Sequence, residues 1–112
     1  MIYSLNKLNE MADGDEDFIL SVITVFLEEV PQDLEALEKA IAEGDYESTY
    51  KLAHKIKPNV DLLGMEQTRA IALEIENLGK DAANKDQIEA RFPILKQDIL
   101  QVISELQKDF EI

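Results

Sequence analysis

The chain contains no cysteine. Disulfides, thiolate nucleophiles and cysteine-based zinc sites are therefore excluded together, and the reading fits a cytoplasmic protein. A single histidine excludes any histidine-rich metal centre. Carboxylates are plentiful, but none fall in the D-x-D-x-D-G pattern of a calcium loop. There is no glycine-rich phosphate loop and no Walker lysine. Glycine (4) and proline (3) are scarce, and no stretch resembles a linker, a repeat or a low-complexity segment. No apolar run approaches the ~20 residues of a membrane span. The start, Met1-Ile2-Tyr3-Ser4-Leu5, lacks the basic-then-apolar order of a secretory signal. Alternation of period two, the mark of a strand, is missing as well.

What remains is one acidic domain spanning residues 1–112. Its 24 Asp and Glu against 11 Lys and Arg give a net charge of -13. Such a surface repels nucleic-acid phosphates and anionic membranes, so neither is an expected partner. Solubility alone explains the charge. A partner with a basic or mixed surface would also suit it.

Helical periodicity runs through the whole chain. A short first helix spans about Ser4 to Met11, before Asp13-Gly14-Asp15 interrupts it. Asp13 or Asp15 then caps a long helix carrying Phe18, Ile19, Val22, Ile23, Phe26, Val30, Leu34, Leu37 and Ile41. Pro31 removes one backbone donor and predicts a kink near Glu29-Val30. Gly44 ends this helix, Asp45 caps the next, and Gly64 ends that one. A fourth helix runs from Met65 to about Leu78, with Gly79 as its stop. Asn84 with Gln87 resembles a capping box for a last helix along Ile88, Phe92, Leu95, Ile99, Val102, Leu106 and Phe110. Short connections imply antiparallel neighbours. The expected fold is all-α: an antiparallel up-and-down four-helix bundle with a short extra N-terminal helix.

His54 lies in the third helix. At ~100° per residue, Thr49, Leu52, Ile56, Val60 and Leu63 cluster on the face opposite it. Glu47, Tyr50, Lys57, Pro58 and Asp61 share its side. The histidine therefore points to solvent. Lys51, Lys55 and Lys57 lie within three residues of it, a basic cluster inside an acidic chain. Pairing with Glu47 and Asp61 would account for these lysines structurally. Ammonium groups near an imidazole do not help it bind metal or hold a proton. They do help if the ring carries a phosphoryl dianion. A neutral imidazole, with an ordinary pKa of about 6.5, is a competent nucleophile near neutral pH. Nothing else in the chain activates phosphate, so donor and acceptor must be external.

The stretch Ala53-His54-Lys55-Ile56-Lys57-Pro58-Asn59-Val60-Asp61-Leu62-Leu63-Gly64 resembles the motif of histidine-containing phosphotransfer domains. It has Ala-His, an apolar residue two after the histidine, a lysine three after it, and a Leu-Gly pair further on. Upstream, Asp15-Glu16-Asp17-Phe18, Phe26-Leu27, Pro31 and Gly44-Asp45 are similar to the family's run-in. The resemblance implies that His54 is phosphorylated on its outer ring nitrogen. It implies that Lys57 steadies the phosphoryl group, with Lys51, Lys55, Pro58 and Asp61 in its surroundings. Gly64 would end the helix, as any C′ glycine does. Pro58 departs from the small residue the family favours one turn past the histidine. Asn59 and Asp61 are less typical too.

The partners so implied are receiver domains of response regulators and hybrid histidine kinases. They bring the Mg ion and the acid pocket, and this chain brings no cofactor. Leu8, Met11, Ile19 and Val22 are candidate docking residues. A turnover enzyme with kinase activity of its own is not implied. A monomer is expected, and the Met1 start favours a free-standing protein. A helical module that docks on receivers or kinases without transferring anything is the competing reading. A purely structural bundle is the third.

Overall fold

The computed structural model describes residues 2–112, with Met1 outside them. These residues form five α-helices and no strand: α1 (Asn6–Ala12), α2 (Glu16–Glu43), α3 (Tyr46–Leu62), α4 (Glu66–Lys80) and α5 (Lys85–Asp109). Helix α3 packs against α2 and α4, α5 packs against α4 and α2, and α1 sits on α2.

Local chemistry sets most boundaries. Of the two aspartates considered for the start of α2, Asp15 is the cap: its carboxylate accepts from the Phe18 N–H at 3.2 Å. Asp13 instead closes α1 in the left-handed conformation, with φ at 49°. Gly44 ends α2 at φ 70°, its N–H bonding back to Ala40 and Ile41. Asp45 caps α3 through the Ser48 N–H at 3.1 Å. Pro31, Pro58 and Pro93 all lie inside continuous helices, so none of them breaks its helix.

Three details differ from the sequence expectation. Helix α4 runs past Gly79 to Lys80, and Gly79 is buried within it. A Cβ there would lie 2.9 Å from Tyr50 Cβ and 3.0 Å from the Tyr50 nitrogen. The glycine thus permits close packing of α4 on α3 and is not a stop. Asn84 does precede α5, but it takes the left-handed conformation and makes no side-chain cap bond. Its carbonyl accepts from Gln87 and Ile88. Phe18 is exposed rather than core.

The core threads all five helices. Leu8, Ile23, Val30, Leu37, Ile56, Val60, Ile75, Leu95, Ile99 and Leu106 are fully buried. Each large apolar side chain so removed from water contributes about 1.5–3 kcal/mol. The N-terminal segment is stitched to this core. Tyr3 is buried, and its hydroxyl donates to the Asp109 carboxylate. Burial first, then that bond and the charges of Asp109 and Glu105, push its phenol up to about 12. The Ser4 N–H donates to the Leu63 carbonyl at 2.7 Å, and Lys7 pairs with Asp61 at 2.8 Å.

Gly64 lies under this stitch. It holds φ 67°, and a Cβ on it would stand 2.9 Å from Ser4 Cβ. Gly44 has a similar φ of 70° but open space around it. Gly44→Ala is expected to cost about 1 kcal/mol, the left-handed penalty alone. Gly64→Ala should cost clearly more, because the N-terminal segment must also move. Denaturant midpoints compare the two, and equal losses would show that the Ser4 contact carries no weight.

Candidate functional site

His54 projects from the middle of α3 with its side chain 67% exposed. The opposite face of the helix holds Thr49, Ala53, Ile56 and Val60 in the core, which fixes the histidine outward. Only one edge of the ring is engaged. Its Nδ1 lies 2.9 Å from Oε2 of Glu76, a residue of α4 whose side chain is 2% exposed.

Glu76 is the organising group of the site. Lys57 Nζ reaches its Oε1 at 2.8 Å, and Lys80 Nζ reaches its Oε2 at 3.2 Å. Burial by itself would raise this carboxyl. The hydrogen bonds from Lys57, Lys80 and His54 overcome burial and bring it down to about 2. Near neutral pH it is therefore ionised, and an ionised carboxylate can only accept. Nδ1 must then be the donor. In the neutral ring the remaining nitrogen, Nε2, keeps its lone pair and faces solvent.

The other predicted residues divide around this centre. Lys51 extends into solvent and pairs with Glu47 at 2.8 Å. That hydrogen bond and charge hold its ammonium above the usual lysine range. Lys55 turns the other way, to α2, where its ammonium lies 3.0 Å from the buried Asp33. Its hydrogen bond and charge likewise raise Lys55, while Asp33 Oδ2 has no partner. Asp61 meets Lys7 at 2.8 Å and Arg69 at 3.5 Å, so it ties α1 and α4 to α3. Pro58 is exposed, on the turn after His54, and α3 continues through it. Gly64 terminates the α3 region in the left-handed conformation.

The docking candidates are scattered. Leu8 is fully buried in the core and offers no surface, which corrects its expected role. Met11 is 59% exposed at the end of α1. Val22 lines an apolar groove of about 280 Å³ between α2 and the last turns of α3, together with Phe18, Val25, Phe26, Asn59 and Leu62. Ile19 faces a different depression, with Leu5, Leu20 and Phe110.

Two residues in contact at the site escaped the sequence reading: Glu76 and Lys80. Glu76 does carry a signal. It falls on the inward stripe of α4 with Thr68, Ala72, Ile75 and Gly79. A carboxylate on a core face demands charged partners.

An exposed imidazole backed by an ionised, buried carboxylate leaves a single ring nitrogen open on the surface of a helix. The family model described as "Hpt domain" matches residues 21–108. The chain belongs to this family, and with it comes a general role in phosphorelay phosphotransfer. The fold is similar to that of the HPT domain from the Hpt sensor hybrid histidine kinase of Shewanella, with a TM-score of 0.84 and 17% identity over 98% of this chain and 94% of that one. No curated protein matches the chain.

The buried carboxylate makes stability depend on acid. Glu76 titrates near 4.5 when unperturbed and at about 2 in the fold. A depressed folded value means stability that is present above the unperturbed value and lost as pH falls through the folded one. The expected contribution is on the order of 3 kcal/mol. Glu76→Gln should therefore be less stable than the native chain at pH 7, with the gap closing between about pH 5 and 2. Thermal melts across that range test this, and a constant gap would contradict the ionised assignment.

Proposed function

We propose that the chain accepts a phosphoryl group on Nε2 of His54 from the phospho-aspartate of one receiver domain and delivers it to another. The observation that carries this reading is the engaged Nδ1: Glu76 holds its proton, so the exposed nitrogen is the nucleophile. In the forward step the Nε2 lone pair attacks phosphorus. The N–P bond forms, the acyl-phosphate P–O bond breaks, and the receiver carboxylate leaves with that electron pair. The ring then carries Nδ1–H and a positive charge, which the Glu76 carboxylate balances. In the return step an incoming aspartate oxygen attacks and the N–P electron pair goes back to Nε2. No proton enters or leaves the carrier in either direction.

Lys57 supports the phosphoryl group through Glu76. Its ammonium is only 24% exposed and anchors Oε1, so it acts as a positioning residue for carboxylate and ring. Lys51 and Lys55 add positive potential around the acceptor nitrogen despite their carboxylate partners. The Mg ion and acid pocket belong to the receiver. Docking falls on the apolar groove that Val22 and Phe18 line, with the exposed Met11 of α1 as a further contact.

The connections between the long helices are two to four residues, and we read α2–α5 as an antiparallel up-and-down bundle. No described helix is long and apolar enough to cross a membrane.

The test is phosphoryl transfer from phosphorylated cognate receivers. The native chain should acquire acid-labile, base-stable phosphate, and His54→Gln should acquire none. Absence of label from every cognate receiver would leave a docking module without chemistry. Label surviving His54→Gln would move the site elsewhere. Lys57→Ala should slow loading without unfolding the protein, and an unchanged rate would remove its positioning role.

A further inference from the structure

Glu76 binds two ammonium groups, and they are not equivalent. Lys57 is mostly buried and, among the described residues, is the one cation on Oε1. Lys80 is 53% exposed and shares Oε2 with the histidine Nδ1. Withdrawing Lys57 would leave half of a buried carboxylate without its charged partner, a costly state. Withdrawing Lys80 leaves Glu76 still paired, with Lys57 on one oxygen and Nδ1–H on the other. Lys80 is therefore the ammonium free to move. It also starts beside the ring, because it and Nδ1 contact the same oxygen atom.

The backbone brings it there. Lys80 is the last residue of α4, directly after the buried Gly79. With no Cβ on Gly79, the final turn of α4 lies against the Tyr50 backbone, one turn ahead of His54. The other charged groups around the ring are already committed. On α3, Lys51 pairs with Glu47 and Lys57 with Glu76, and toward α2 Lys55 pairs with Asp33.

We propose that Lys80 is a phosphoryl-binding residue: when His54 is phosphorylated, its ammonium leaves Glu76 Oε2 and pairs with the phosphoryl oxygens, while Lys57 stays on Glu76. The assignment rests on His54 as the phosphorylated residue. A dianion on Nε2 attracts an exposed, flexible lysine more strongly than an already paired carboxylate does.

The experiment loads the chain chemically with phosphoramidate, which needs no receiver. The lifetime of phospho-His54 is then measured in the native protein, Lys80→Gln and Lys80→Arg. The expected result is a lifetime about two- to fivefold shorter in Lys80→Gln, the scale of an exposed charge pair, with Lys80→Arg close to native. Loading should also shift the Lys80 side-chain NMR signals more than those of Lys57, a response that a purely structural lysine would not give. An unchanged lifetime in Lys80→Gln overturns the proposal. So do Lys57 signals that move while those of Lys80 stay. A Lys80-dependent lifetime in a chain that no receiver can load or discharge would sustain this role and defeat the phosphotransfer reading instead.

Discussion

The site depends on one buried carboxylate. Glu76 could not remain ionised at its 2% exposure without charged partners, of which Lys57 is the most enclosed. Because it is ionised, it dictates which histidine nitrogen holds the proton. Because it sits on α4 while His54 and Lys57 sit on α3, it also ties the two helices together at the level of the nucleophile. Proton placement, ring orientation and local helix packing thus share a single cause.

The rest of the molecule serves that junction. Gly79 lets α4 approach the Tyr50 backbone. The left-handed Gly64 lets the N-terminal segment press on the end of α3, where the Ser4 N–H meets the Leu63 carbonyl. Asp61 joins α1, α3 and α4 through Lys7 and Arg69. These are small contacts, but they bear on helix α3 from its sides and its end. The exposed ring is consequently mounted on a helix that is contacted at its sides and at its end.

Much of this was legible in the sequence. A cap at Asp13 or Asp15, the cap at Asp45, the stops at Gly44 and Gly64, and the outward direction of His54 follow from local rules; the structure holds them and settles the first on Asp15. What failed were readings that depend on the neighbouring helix. Gly79 looks like a stop only when α3 is out of view, and Leu8 looks available only without the core that encloses it. Nor does the local sequence around Lys57 show that a carboxylate 19 residues away pairs with its ammonium. Long-range pairing leaves a trace in one strand of text only as an oddity, such as an acidic residue on an apolar stripe.

The surface that carries His54 is chemically uneven along α3. Ammonium groups surround the ring, Lys57 and Lys80 toward α4 and Lys55 toward α2, while the last turns of the helix meet the apolar groove of Phe18, Val22, Val25 and Leu62. A molecule covering both the ring and the groove meets charge at one end and apolar surface at the other. It cannot be turned half a revolution about the imidazole and still fit both. The asymmetry works as a compass: it sets the heading of whatever lands there before any bond is made.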